Sequence, residues 1–562
     1  MNSRLFYALF FFCLSFLLWS GSINGAEANS TETADKFRKA AEEGNAEAQY
    51  ELARCFLNGR GVPQDATEAL NWFRKAAEQE YAPAQCEMGV AHYTGRGIPK
   101  DESEAVAWFR KAADKKNAAA QYGLGLCCAY GRGIEKNETA ATNWFRQAAI
   151  QDYAPGQHEF GYSYFTGRGV GENKSEAVCW YKKAAEQEYA PSQYELGKCY
   201  FKATGVEKDE AEGVKWFRKA AEQGNSSAQF ELGLSYYYGS GIPKNETEAV
   251  RWYKKAAEQG HSTAQFEFGK CLFHGTGILT DKTEAVKWLR KHAESGNTEA
   301  QVMLGMSLLE GVNTPDAQEE AVSWFRKAEK NNAAAQMQLG KCYFNGWGVL
   351  ENKEEAVAMF RKAADKGGAE AEYQIYECYV NGEGVAKDEA EAVKWLQRSA
   401  NRGYTPAQVR LAHRHISGEG VPKNVTEAVR LYRRAAKEGG NPEAQYTVGV
   451  HAYKGLYDTE NWVEAADWFR KSADQNYPDG QYRLGWCYLF GHGVYKDEAE
   501  AVKWFRKSAE QGSAQGQHLL GECYAAGWGV PKDKEEAGKW LRKAAEQGII
   551  LAANLLREIE NL

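Results

Sequence analysis

Between Ala228 and Thr263 the chain sets out two apolar stripes separated by two short polar breaks: AQFELGLSYYYGSGIPKNETEAVRWYKKAAEQGHST. Ala228, Leu232, Ser235 and Tyr236 fall at i, i+4, i+7 and i+8, one face of a helix designated A. Gly239-Ser240-Gly241-Ile242 supplies a left-handed cap and a turn, and Pro243 cannot continue the helix. A second helix, B, opens near Asn245 and Thr247, whose oxygens suit an N-cap, with Glu246 and Glu248 at the positive helix start. Its stripe is Ala249, Trp252, Tyr253, Ala256 and Ala257; Gly260 closes it, and the next A helix begins at Ala264.

A pair of this length cannot bury its own apolar face, so successive pairs must stack. The Trp of helix B recurs every 36 residues at Trp72, Trp108, Trp144, Trp180, Trp216, Trp252, Trp288 and Trp324. The register then shortens by one to Met359, runs through Trp395 and Leu431, gains one to Trp468, and finishes at Trp504 and Trp540, which makes fourteen pairs. Both slips fall in B-to-A turns, the loss around Lys330-Asn331-Asn332 and the gain in Gly439-Gly440-Asn441-Pro442. A lone B-type helix near Thr33 to Glu43 and a lone A-type helix near Ile550 to Glu560, polar at Arg557, Glu558 and Glu560, read as end caps. The recurrent Trp is expected in the core, contributing roughly 4–6 kcal/mol each by area as an upper bound.

The start differs from the rest. Arg4 precedes an apolar run from Leu5 to Trp19, followed by small and polar residues through Ala26-Glu27-Ala28, the pattern of a signal peptide over residues 1–28. Fifteen apolar residues make a short span, so an uncleaved anchor is the weaker reading. Residues 29–45 form a linker and capping helix, 46–548 the tandem repeats and 549–562 the C-terminal cap. The expectation is export: periplasmic or secreted in a bacterium, the secretory pathway in a eukaryote. No other stretch is apolar enough to span a membrane.

The order Ala-Gln, Leu-Gly, aromatic, Gly-x-Gly-Val/Ile, Asp/Asn, Glu-Ala-Val, Trp-Phe, Lys-Ala-Ala resembles the Sel1-like repeat family from about residue 33 to 562. The resemblance implies an all-α, right-handed α/α superhelical solenoid, similar to tetratricopeptide repeats, of about 14 helix pairs with terminal capping helices. It also implies an adaptor that binds protein or peptide partners. A composition of 43% hydrophobic and 26% charged residues, with net charge −7, suits a packed protein and argues against nucleic acid as ligand.

No Gly-x-Ser-x-Gly elbow, His-Glu-x-x-His or P-loop occurs, and the Gly-x-Gly pairs follow helices rather than strands. A cysteine-rich branch of the family is linked to β-lactam binding or hydrolysis. No serine here begins Ser-x-x-Lys, so a hydrolase is the lesser alternative. Cys55, Cys127, Cys199, Cys271, Cys342, Cys378, Cys487 and Cys523 share one A-helix position with Ser163, Ser235 and Ser307, a small, buried place. Neighbouring copies about 10 Å apart lie beyond the roughly 7 Å reach of a disulfide, so packing thiols are expected. Cys86, Cys128 and Cys179 lie elsewhere, and one bridge among them stays open. His413 and His415 point apart at i, i+2, and no metal, cofactor or catalytic residue is assigned. Four sequon asparagines, Asn137, Asn173, Asn245 and Asn424, sit where other copies have a capping Asp; Asn29 and Asn225 complete the six.

Partner-binding candidates are the positions that vary while the fold persists. One A-helix row carries Glu51, Glu87, Glu159, Glu195, Glu231 and Glu267, then changes to Gln338, Gln374, Arg410, Thr447 and Arg483, a polarised face on which Glu159, Glu195, Glu231 and Glu267 are the chosen acidic residues. A neighbouring row, Tyr50 to Tyr373, is half core. At the A-to-B loop tips stand Arg60, Arg96, Arg132 and Arg168, and later Trp347 and Trp528. The Arg row suits an anionic protein or polysaccharide, and exposed Trp residues would favour a carbohydrate or cell-wall binder instead.

Overall fold

The computed structural model describes residues 31–330, 332–455 and 461–560, with side chains from Ala34 onward apart from the omitted positions. The expected signal peptide and the sequon at Asn29 lie outside these residues, as does Asn331 in the first register slip. The chain divides into two compact units, residues 1–280 and 281–562. In the first, helix Thr31–Glu42 precedes six A/B pairs, from Ala46–Asn58 with Ala66–Glu78 to Ser226–Tyr238 with Glu246–Glu258, and then the seventh A helix, Ser262–His274. The second holds the seventh B helix, Lys282–Glu294, seven further pairs ending in Ala514–Ala526 with Lys534–Glu546, and helix Ile550–Glu560. Among the described residues the architecture is the all-α solenoid the pattern predicts, with fourteen pairs flanked by helices Thr31–Glu42 and Ile550–Glu560.

Local chemistry sets each boundary. Asn45, Asn117 and Asn225 cap A helices by accepting the N–H three residues on. Where Tyr81, Tyr153 and Tyr189 stand instead, no side-chain cap forms. A proline in the first turn and an aromatic contact with the preceding A helix take its place, as in Tyr50–Tyr81 at 5.5 Å and Tyr122–Tyr153 at 5.8 Å between ring centroids. B helices open on Asp65, Asp101 or the sequon residues Asn137, Asn173, Asn245 and Asn424, all capping through their side-chain oxygens. Gly239 is left-handed at φ 75°, and a Cβ on Gly241, φ 69°, would collide with the Glu210 carbonyl of the preceding B helix. One departure occurs: residues Leu308–Val312 form a π-helical turn capped by left-handed Asn313, where the Gly-x-Gly signal is missing.

The interior corrects the expectation for Trp. Only Trp216, Trp252, Trp324 and Trp395 are buried at that position; Trp72, Trp108, Trp144, Trp180, Trp288, Trp468, Trp504 and Trp540 are half-buried. The next residue is the one at the centre, as with Phe73, Phe109, Phe217, Tyr253, Phe360 and Phe505. Both positions belong to one helical stripe, so periodicity alone does not rank them. The ranking comes from the A-helix glycine: a Cβ on Gly233 would stand 2.6 Å from the Tyr253 ring, and one on Gly485 2.8 Å from Phe505. The indole instead lies toward the edge under the lysine three residues on, with Lys75 3.8 Å from the Trp72 ring and Lys327 3.7 Å from Trp324. In Trp180, Trp288, Trp324 and Trp468 the N–H donates to the Glu four residues back, as in Trp180 to Glu176 at 2.9 Å and Trp324 to Glu320 at 3.0 Å, whereas the buried N–H of Trp216, Trp252, Trp395 and Trp540 has no acceptor.

The Gln of Ala-Gln ties many of the A helices to their flanking B helices, although the amide oxygens of Gln85, Gln265, Gln301, Gln336 and Gln408 have no partner. In the first unit Gln193 donates to the Ala185 carbonyl at 3.1 Å and accepts from Gln223 at 2.8 Å; Gln229 does the same with Ala221 and Gln259. In the second unit Gln445 and Gln517 repeat the arrangement. One rung there is exchanged: Glu372, with 0% exposure, accepts from Arg398 and Arg402, each at 3.1 Å. A carboxylate has no hydrogen to give, so this rung makes no donor bond to the preceding B helix.

The turns absorb both register slips. The B helix ending at Ala328 is followed by an A helix from Ala333, and that ending at Lys437 by one from Pro442.

Candidate partner-binding faces

The acidic row of the first unit lies on the A helices but is largely neutralised in place. Glu51 pairs with Arg54 at 3.1 Å, Glu195 with Lys198 at 2.8 Å and Glu267 with Lys270 at 3.4 Å, all three residues apart. Glu231 has Leu234 at that offset; burial raises its carboxyl above the ordinary value, while Lys198 and Lys202 oppose the rise. Glu159 is half-buried beside Tyr189. Glu87 is only 8% exposed, with Val90 in place of a cation three residues on, and burial pushes its carboxyl up to about 7 against the pull of Arg96 and Arg54. The row next to it is core more than surface: Tyr50, Cys86, Tyr122, Phe266, Val302, Met337 and Tyr373 are buried.

The loop arginines share a backbone setting, each N–H returning to a carbonyl five residues back, as in Arg60 to Cys55 and Arg96 to Ala91. Their side chains diverge. Arg132 reaches Glu102 of the preceding B helix at 3.3 Å, Arg168 lies 5.5 Å from the Tyr162 ring centroid, and Arg96 stands near Glu87. Trp347 is 40% exposed between left-handed Gly346 and Gly348, while Trp528 packs against the cluster built on Leu489, Phe505 and Leu520. The two tryptophans are therefore not equivalent. A different aromatic edge forms where the exposed Trp462 stacks on His492 at 4.3 Å.

On the second unit the same row holds Gln374, Arg410, Thr447 and Arg483. Arg410 stands beside Tyr373, and Arg483 beside Tyr446 and Tyr482, whose hydroxyls are 3.3 Å apart. Trp486 and Phe490 follow Arg483 at i+3 and i+7 with rings 4.6 Å apart. The sequence displays these residues as a change in row composition; their convergence depends on how adjacent A helices stack, which one repeat does not encode.

Of the described cysteines, Cys179 is exposed and the others are buried, and all are free thiols. Burial pushes Cys127, Cys342 and Cys523 up to about 12, far from thiolate chemistry. His413 faces Glu443 at 3.0 Å, and His415 contacts the Pro422 carbonyl. Among the described residues no group of three His, Cys, Asp or Glu side chains is placed to hold a metal, and no helix is long and apolar enough to cross a membrane.

Helix pairs tied only to their neighbours define a repeat-built α-solenoid. The chain belongs to the Sel1 repeat family, whose family model matches fourteen times between residues 46 and 549, beginning at 46–81 and ending at 514–549. Among solved structures it is similar to c5321, a protective antigen present in uropathogenic Escherichia coli strains and displaying an SLR fold, with 33% identity, a TM-score of 0.55 and coverage of 79% of this chain and 96% of that one. A Sel1 repeat protein from Oxalobacter formigenes matches at 31% identity and TM-score 0.40 over 44% of this chain and 96% of its own. The immunity protein Pa5087 of Pseudomonas aeruginosa matches at 24% and 0.28 over 40% and 81%. No curated protein matches the chain.

Proposed function

We propose that this chain is an exported, non-catalytic scaffold or adaptor that binds protein or peptide partners along its A helices. One observation carries the reading: residues repeated from copy to copy are consumed internally, whereas variable ones remain half-exposed. Ladder glutamines such as Gln229 hold helices together, the Glu of Glu-Ala-Val holds the indole in copies such as Trp180 and Trp324, and the Arg after Trp-Phe donates to a Tyr of the next A helix, as Arg218 does to Tyr236 at 2.9 Å. Leu234 and Val450, at one A-helix position, are half-buried and differ in neighbouring copies from Lys198, Lys270, His413 and Trp486. Sel1 repeat proteins commonly mediate protein–protein interactions, and the Escherichia coli relative's description as an antigen is in keeping with export.

The test replaces Leu234 or Val450, and separately Lys254 on a B helix, with a photo-crosslinking amino acid in the native host. The expected result is one protein joined through the A-helix positions and absent from the Lys254 control. Recovery of glycan alone would overturn the reading in favour of carbohydrate binding, which rests on exposed Trp347 and the Trp462–His492 stack.

A further inference from the structure

The B helix Val425–Lys437 departs from the repeat at three neighbouring positions of its outer face, and each departure takes from a cation the partner that other copies supply. Elsewhere the Arg after Trp-Phe donates to a Tyr of the next A helix, as Arg470 does to Tyr488 at 3.0 Å; after Arg433 that place is held by Ala452. The next cation elsewhere lies over the indole three residues back, as Lys471 does over Trp468 at 4.1 Å, but three residues before Arg434 stands the buried Leu431. Lys437 occupies the place of Glu258, Asp474 and Glu510, so a cation replaces an acid. Arg430, Arg433, Arg434 and Lys437 fall at i, i+3, i+4 and i+7. With Thr426, Val429 and Glu438 they line a shallow groove of about 410 Å³.

The carboxylates nearby leave this groove cationic. Glu427 is held by Arg430 through two bonds, of 2.8 and 2.6 Å, and Glu438 stands 3.6 Å from Arg434. Among the described residues Arg433 and Lys437 have no ion pair or hydrogen bond. The following B helix, Trp462–Asp474, carries Glu464, Asp467 and Asp474, none within ion-pair distance of a groove cation; Glu464 accepts from the Trp468 N–H at 3.3 Å instead. On the preceding copy Gly403 stands where Glu188 meets Lys219 at 3.6 Å, and Asn401 where others have an acid. Arg433 acts through space on His451, which offers no negative charge: burial, Arg433 and Lys454 hold its imidazole below the ordinary value. Four cations against two carboxylates leave two positive charges unmatched over about two helical turns.

We infer that this groove binds the dianionic phosphoryl group of a small phosphomonoester. A phosphomonoester carries about −1.5 to −2 charges near neutral pH and three free acceptor oxygens. A carboxylate, a sulfate ester or a phosphodiester carries one, which leaves a cation unmatched. The guanidinium fork of Arg433 takes two of those oxygens side by side, and Lys437 adds a point charge. No aromatic side chain lines the groove and Val429 is buried, so nothing there stacks on a nucleobase or covers an acyl chain. The Thr426 hydroxyl and the Glu438 carboxylate offer hydrogen bonds to hydroxyl groups, so the phosphoryl group arrives either as the free ion or on a sugar. The B helix Glu246–Glu258 lacks this arrangement, because Lys255 lies 4.0 Å over the Trp252 ring and Glu258 stands in place of the last cation. The site is independent of the adaptor reading, which concerns the A helices.

Inorganic phosphate, glucose 6-phosphate and dimethyl phosphate are titrated separately against the full chain, with the phosphorus NMR line width as the readout. The two dianions are expected to broaden, and the monoanionic dimethyl phosphate to bind about fivefold more weakly or less. Tighter glucose 6-phosphate identifies the sugar ester as the source, and equal or tighter inorganic phosphate the free ion; both uphold the site. R433E/K437E should weaken binding roughly tenfold or more, and K437E, which restores the acid of the other copies, by about threefold. R251E/K254E, the same charge change on exposed B-helix positions of the first unit, is expected to stay within about twofold. All four replaced side chains are exposed, and an unchanged unfolding midpoint shows each variant folded. Equal weakening by both double variants reduces the effect to net charge and overturns the site. Dimethyl phosphate binding as tightly as inorganic phosphate overturns it too, as does the lack of broadening of either dianion.

Discussion

Two units built from one repeat have treated the same A-helix row in opposite ways. In the first, a carboxylate three residues ahead of a lysine or arginine forms a local pair, and Glu51, Glu195 and Glu267 spend their charge within their own helix. In the second, Arg410 and Arg483 have tyrosine hydroxyls for company instead. A row of like charges in a sequence is therefore a poor guide to a charged surface. The residue one turn away decides whether any charge is left for a partner.

The comparison assumes that the two units share one interior and differ only on their faces, and the largest effect tests that assumption. Phe217→Ala in the first unit and Phe505→Ala in the second, both ring positions under an A-helix glycine, are each expected to cost about 3–5 kcal/mol. Hydrogen exchange of the surrounding helices would read the two losses separately, and a tolerant site in either unit would break the equivalence.

A somewhat smaller effect belongs to the first unit alone. The Glu87 carboxyl is held at about 7 against an ordinary 4.5, so the folded state keeps its proton longer than the unfolded one. Its contribution is undiminished below about pH 4.5 and declines as the pH rises to 7 and beyond, amounting to about 2–3 kcal/mol in all. Glu87→Gln should flatten the fall in stability of this unit between pH 5 and 8, followed by thermal unfolding. An unchanged slope would show that Glu87 is solvated.

The smallest of the three sharpens the contrast within the ladder. Arg402→Gln leaves buried Glu372 with one cation and is expected to cost about 1–2 kcal/mol. Glu372→Gln with Arg402→Gln rebuilds the amide pair found in the other copies and should return most of that loss in denaturant unfolding. If the double variant were less stable than either single one, the exchange of amides for ions would not be a substitution of like for like.

The 36-residue period, the Asn and Asp caps, the left-handed glycines and both register slips were legible because each is a local signal. Which of two adjacent aromatics reaches the centre was not legible: Trp252 and Tyr253 share a stripe, and a glycine on another helix ranks them. The acidic row was read as polarised because rows are compared down the repeats, while Lys198 and Lys270 lie along the helix. Trp347 and Trp528 looked alike between their glycines, yet Trp528 packs against the cluster around Phe505 while Trp347 stands 40% exposed. The cluster around Arg483 needs residues from two repeats, so no single copy contains it.

The glutamine ladder has a mechanical meaning. Because each rung joins a helix only to its immediate neighbours, tension applied to the two ends of the chain would be released one pair at a time. Each release would pay out about 12 nm of extended chain. In that stepwise extension Gln336, whose amide oxygen meets no donor, marks a place in the second unit where an early step should come.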